Sequence, residues 1–462
     1  MAVLRHKIGK ISIINLFFSL LILLSTASWS AKAGMIRDTE LEKGLEALAM
    51  PMAQNAGLRT IHIRLVPDVS YNAFVVGGDT VYVHTGLLIK AKSTAEILGV
   101  FAHEIGHLAA GHAPRRTEAI KDANLTTTLA TLAAAAVAAS GASGDAALGV
   151  AIGGADRASR NYFALSRQDE AVADEWALRL LKEQDISASG LSSFMRRIAG
   201  ERALPETRQS DYYRSHPGAG QRLLVFEDHI REYGTDSPGI TADDDRLMIR
   251  LIAKIKAFTE PPMQTLSEVR RAQRKTAKQK SSHWPEFNEA ENLYRAAIAH
   301  YRRGALAKAE EHMAALLAQK ANDPYYLEFA GDIYLSSGQI DKAIASYQDA
   351  LRDHQAPLIE FGLGRALLAR ANQGDQNAYG KAVAAFQRAL IGERKWPELY
   401  RQYAIALGRN GALAEADLAL ANEALLLGDK QRATQMARRA LAHEGISKES
   451  QNYANDILFS LQ

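Results

Sequence analysis

FAHEIGHLAAGH, Phe101–His112, holds the pentad His103-Glu104-Ile105-Gly106-His107. Ile97, Leu98, Phe101, Ile105 and Leu108 recur around it at three- and four-residue steps, a spacing that predicts an amphipathic helix. On such a helix His103 and His107 are i,i+4 neighbours, so both imidazoles leave one face and can grip a single ion. Glu104 stands one position on, where a general base acting on a water at the metal has to be. The bland alternative is two ordinary histidines on a half-buried helix, and the flanking sequence weighs against it.

Upstream, the spacing of Ile36, Leu41, Leu45 and Leu48 predicts a helix over Met35–Ala56, ending near Pro51 and Gly57. Two β-like runs follow. Ile61–Val66 alternates, and Asn72–Val76 with Thr80–His84 form short strands around the turn Gly77-Gly78-Asp79. In a zinc peptidase such an edge strand can pair with an extended substrate backbone, although a core hairpin gives the same pattern. A short helical stretch is expected over Leu87–Ala91. Ser93 or Thr94, with Glu96, reads as the cap of the metal-site helix.

The pentad needs a third ligand. His112 is i+5 from His107 and projects off the ligand face, and the extended H-E-x-x-H-x-x-G-x-x-H spacing fails because positions 110 and 113 are Ala110 and Ala113. Ser166–Leu181, SRQDEAVADEWALRLL, predicts a second helix with Glu170 and Asp174 at i,i+4. One of these carboxylates can reach the ion while the other accepts from the distal N–H of a ligating histidine. A solvated acidic face is the alternative, but the two-histidine helix lacks a ligand and Glu170 is the best offer.

The 462 residues suffice for two or three domains, and 47% hydrophobic with 23% charged residues is an ordinary globular composition. The first 33 residues read as a secretory signal: basic Met1–Lys10, apolar Ile11–Leu24, and Ala31-Lys32-Ala33 as a cleavage site. An uncleaved anchor is the alternative. Removing that segment's four positive charges from the net +3 leaves −1, which suggests no nucleic-acid footprint. With no cysteine, disulfides, a lipoprotein anchor and thiolate metal ligands are excluded, so a metal must be held by His and carboxylates. Ala130–Ala155 is rich in Ala and Gly, interrupted by Gly141, Gly144 and Asp145, and reads as a helical hairpin near the cleft, a lid or plug, rather than a membrane span.

HEIGH, the upstream NAF-x-x-GG-x-x-x-V-x-x-GLL, the SR-x-x-E-x-x-AD-x-x-AL segment and SHP-x-x-x-x-RL at Ser215–Leu223 occur in this order in the HtpX/BepA group. The chain resembles these gluzincin zinc endopeptidases, relatives of the CAAX prenyl proteases, over about Met35–Tyr233. The resemblance implies a zincin-like α+β domain with a small sheet and one zinc ion. Its ligands would be His103, His107 and Glu170, with Glu104 as base and Asp174 holding a ligand in place. It also implies that His216 and Arg222 line the site, where either could stabilise the oxyanion and His216 could fill the fourth zinc position in a resting form. The implied reaction is hydrolysis of peptide bonds by a Glu-activated water.

Beyond the peptidase region, Asp243-Asp244-Asp245 opens a helix, Pro261-Pro262 breaks it and Arg270–Lys280 is basic. A solvated face or contact with an anionic surface, such as lipid headgroups, fits that run. From Phe287 the chain repeats: Gly304 to Gly338 is the 34-residue tetratricopeptide period, with further matches at Ala382 and Gly428. Ala412–Leu427 reads as one helix serving two half-repeats.

The expected organisation is therefore mostly α: signal 1–33, metallopeptidase 34–239, helical linker 240–286, and an α-solenoid of four to five helix pairs over 287–462. Proteins of this layout imply a periplasmic enzyme, with peripheral membrane contact as a further option. It would act on misassembled outer-membrane proteins and bind substrates or an envelope partner through the repeats. A chaperone or adaptor with an idle peptidase site is the rival reading.

Overall fold

The computed structural model describes residues 36–75, 78–112, 167–205, 209, 210, 212, 215–274, 284–352 and 354–461. The signal segment, the Ala/Gly-rich 130–155 stretch and residues 76–77 beside the turn lie outside them, as does 275–280 of the basic run.

Ile36 is not helical as expected; it bridges Leu65 along the sheet. The helix α1 begins later, at Thr39–Asn55, because the Asp38 side chain accepts from the Leu41 amide as an N-cap. It also runs through Pro51 rather than stopping there. The strands β1 (His62–Val66), β2 (Ala73–Val75) and β3 (Thr80–His84) form a sheet of order β1-β3-β2. β1 pairs with β3 in parallel and β2 pairs with β3 antiparallel, so β2 is an edge. Short α2 (Thr85–Lys90) leads to α3 (Thr94–Ala109), whose N-cap is Ser93. Ile97, Phe101 and Ile105 of α3 bury in a core shared with α1 and the sheet, and this leaves the histidine face to meet α4 (167–183).

Gly106 decides how closely those two helices pack. A Cβ there would lie 2.7 Å from the Ala173 carbonyl oxygen and 2.9 Å from the Trp176 Cβ. Only a glycine allows α4 to bring its carboxylates to the pentad without a backbone shift. α5 (Ser189–Gly200) packs beneath α3, and α6 (Ala219–Tyr233) packs on α5.

α7 (Ala242–Thr259) fills the place expected for a linker, but it is not a spacer. Its Met248, Leu251, Ile252 and Ile255 lie in the core of the N-terminal domain, while Ala257 lies in the core of the first repeat. After α8 (Pro262–Arg274) come five antiparallel pairs. They are α9 (Glu289–Arg302) with α10 (Leu306–Gln319), α11 (Pro324–Ser336) with α12 (Ile340–Leu351), and α13 (Pro357–Asn372) with α14 (Asn377–Gly392). α15 (Pro397–Arg409) with α16 (Leu413–Leu426), and α17 (Lys430–Leu441) with α18 (Lys448–Ser460), complete the array. α16 packs on both α15 and α17, as one helix shared between half-repeats must. Among the described residues no helix is long and apolar enough to cross a membrane.

Charge joins the repeats to the N-terminal domain. Arg250 pairs with Glu40 of α1 and Asp323 at the start of α11, and Lys254 reaches Asp38 at 2.7 Å and Glu40 at 3.0 Å. Farther along, Arg37 pairs with Glu393, and Arg64 lies 2.6 Å from Glu42 and 3.7 Å from Glu393. Burial drives Glu42 from 4.5 up to about 7, outweighing the attraction of Arg64. A raised carboxyl stabilises the fold fully below its unfolded value and loses that contribution as pH rises through its folded value. Thermal melts should therefore show a loss of up to about 3 kcal/mol between pH ~4.5 and ~7 from this group, and Glu42→Gln should flatten that slope. An unchanged slope in the variant would assign the pH dependence elsewhere.

Candidate metal centre

α3 and α4 place three side chains of the expected set around one point. The Nε2 atoms of His103 and His107 are 3.1 Å apart. Glu170 Oε2 is 3.2 Å from His103 Nε2, and Glu170 Oε1 is 3.3 Å from His107 Nε2. The fourth corner is His216, whose Nδ1 is 3.3 Å from His103 Nε2 and 2.9 Å from Glu170 Oε2. One ligand atom from each of the four lies within 4.8 Å of all the others, and all four residues are buried. Tetrahedral zinc with bonds of 2.0–2.1 Å puts its donors about 3.3 Å apart. The donor set, two or three imidazoles and a carboxylate, and these edge lengths both fit that ion.

The surroundings orient the donors. His103 turns its Nδ1 to Asp174 Oδ1 at 2.9 Å, which directs Nε2 at the ion. Arg222, near the start of α6, grips Asp174 with two nitrogens at 2.6 and 2.7 Å and Glu170 with a third at 2.7 Å. Burial alone would raise Asp174 and Glu170. Arg222 and the histidines overcome it, holding Asp174 below and Glu170 well below the usual carboxylate range. For His103, burial and Arg222 favour the neutral ring, but the bonds to Asp174 and Glu170 prevail and push it up to about 9. His107 goes the other way, chiefly because it is desolvated. Arg222, which with His216 is one of two candidates for an oxyanion donor, directs its guanidinium at the two carboxylates.

Glu104 is wholly buried beside the pair, with Oε1 3.5 Å from His216 Nε2. His216 arrives from Ser215-His216-Pro217, just before Gly218, whose φ of 85° opens α6. The Tyr212 ring stacks on it at 4.2 Å between centroids. The same segment covers the sheet edge. Asn72 gives its carbonyl to the His84 amide of β3, so by strand alternation Tyr71 and Ala73 present theirs outward. The Tyr212 amide takes the first at 3.2 Å and His216 Nε2 the second at 3.3 Å.

Two features escaped the sequence reading. His112 is not a ligand, yet it meets His107 from behind, with Nδ1 to Nδ1 at 2.8 Å. Tyr212, buried against Phe194 and His216, carried no motif; its only signal was its position four residues before His216.

Residues 36–229 match the family model described as Peptidase family M48. The "Beta-barrel assembly-enhancing protease" of Yersinia pestis is 24% identical over 425 residues, covering 87% of this chain and 79% of that protein. The "Metalloprotease LoiP" of Escherichia coli (strain K12) is 26% identical over 197 residues, 43% of this chain and 73% of that one. A solved structure of MamA is 17% identical and aligns with 39% of this chain and 98% of its own, at a TM-score of 0.32.

Proposed function

Because residues 36–229 form a Peptidase family M48 domain, we propose that the protein is a zinc-dependent endopeptidase of the cell envelope. In this reading it is exported to the periplasm by a cleaved signal and hydrolyses peptide bonds of misfolded or misassembled outer-membrane proteins. Its repeats bind those substrates or a partner. The observation that carries the catalytic part is the convergence of His103, His107 and Glu170 on one point with Glu104 beside it. The envelope role draws on the name of the Yersinia pestis relative.

When bound, zinc supplies a Lewis acid that acidifies water and polarises a carbonyl. The chain's residues do the rest. His103, His107 and Glu170 hold the ion, and Asp174 keeps the His103 ring turned. Glu104 takes the proton of the attacking water and returns it to the leaving amine. Arg222 keeps Glu170 and Asp174 ionised and fixed.

In this reading the cover over the sheet edge makes the enzyme latent. An extended substrate added along β2 would need the Tyr71 and Ala73 carbonyls that Tyr212 and His216 now occupy. His216→Ala should therefore raise the rate of cleavage of an unfolded protein such as casein. An unchanged or lower rate would count against restraint.

Zinc content measured alongside casein cleavage, for wild type and Glu104→Gln, tests the reading as a whole. Zinc near one per chain with cleavage that depends on Glu104 supports it. Zinc without any Glu104-dependent cleavage favours the rival, a chaperone or adaptor acting through the repeats.

A further inference from the structure

α3 ends at Ala109, and Gly111 at φ 67° breaks its course. That left-handed turn is what carries His112, which a continued helix would point away, to the rear of His107. The two Nδ1 atoms are 2.8 Å apart. On its other side, His112 Nε2 faces Asp169 Oδ1 at 3.5 Å. His112 is 1% exposed and Asp169 2%, so both lie out of bulk solvent.

Between two ring nitrogens at that distance one must donate and the other accept. If His107 donates from Nδ1, its Nε2 carries a lone pair toward the metal point, and His112 holds its proton on Nε2 facing the Asp169 carboxylate. If His112 donates instead, His107 Nε2 carries a proton where the ion must bind, and a lone pair of His112 faces the carboxylate of Asp169. The second arrangement is unfavourable at both ends.

We propose that His112 and Asp169 are positioning residues that fix His107 in its metal-binding tautomer. They do for His107 what Asp174 does for His103. Pairing Asp174 with Glu170 accounts for only one of the two imidazoles; this chain builds a longer support for the other, with Asp169 on the same helix. The inference rests on the proposed metal site.

Zinc affinity of the full chain, measured by competition with a chromogenic chelator, reads the support directly and needs no turnover. His112→Leu, which offers no acceptor, should weaken zinc about 10–100-fold. His112→Gln, whose amide oxygen can accept from His107 Nδ1, should recover much of that loss. Asp169→Asn keeps size and shape but can donate to His112 Nε2 and reverse the relay, so it should weaken zinc into the same range. The metal-free melting temperature of Asp169→Asn reports whether the fold survives. Equal losses for His112→Leu and His112→Gln, or zinc affinity within about twofold of wild type in Asp169→Asn, would overturn the relay. Wild type that binds no zinc would overturn the metal site itself, and the relay with it.

Discussion

Glu104→Gln should retain zinc and lose peptide-bond cleavage by about 10²–10⁴-fold, the range general-base catalysis contributes. Glutamine is isosteric and Glu104 is fully buried, so the side chain keeps its place. What disappears is the capacity to take a proton. The ligands are untouched, because Glu104 belongs to neither the imidazole pair nor the Glu170 carboxylate. Stopped assays at saturating casein, normalised to bound zinc, separate the two effects. A variant that loses metal and activity together would mean Glu104 helps to hold the ion, and its assignment as the base would fall.

The second large effect is on stability. Arg222→Met should destabilise the metal-free protein by about 3–5 kcal/mol, the cost of breaking a buried ion pair from one side. Arg222 compensates two buried carboxylates at once, Asp174 at 2.6 Å and Glu170 at 2.7 Å. The stability that their lowered proton affinity contributes is present above the ordinary carboxylate range and is lost as pH falls through their folded values. Without Arg222 that depression shrinks, so the variant should lose stability most near neutral pH and differ least from wild type in acid. At about 2–4 °C per kcal/mol the melting temperature should drop on the order of 10 °C. Zinc, itself a cation at Glu170, should restore part of the loss. A melt that shifts by less than about 2 °C without metal would show that the carboxylates find other compensation.

How far the sequence could be read depended on whether spacing along one helix was enough. His103 and His107 are one turn apart, so their joint aim followed from helix geometry alone. Glu170 and Asp174 followed because a four-residue step fixes them on one face and the pentad lacked a ligand. The family motifs then suggested His216 and Arg222 without saying what they touch. Arg222's three bonds depend on how α6 meets α4, and the His216 bond to the Ala73 carbonyl depends on a contact 143 residues apart. Neither is a property of local spacing. His112 stays outside the ligand group, as its spacing implies, but its contact with the rear of His107 follows only from the left-handed turn at Gly111. Asp38 before Thr39 likewise carried a readable N-cap signal that the apolar spacing from Ile36 obscured. α7 reads as a connector because apolar periodicity tells that a helix is buried, not against which partner.

That helix has a mechanical consequence. A segment with its middle turns in one core and its end in the next cannot act as a hinge without opening both. Thermal or chemical unfolding should therefore couple the catalytic part to the first repeats as one cooperative block, with the distal pairs α15 to α18 the first to loosen. A protein captured by the proximal repeats would be presented at a fixed bearing to the candidate metal centre, as in a jig, rather than at the end of a tether whose length sets its local concentration.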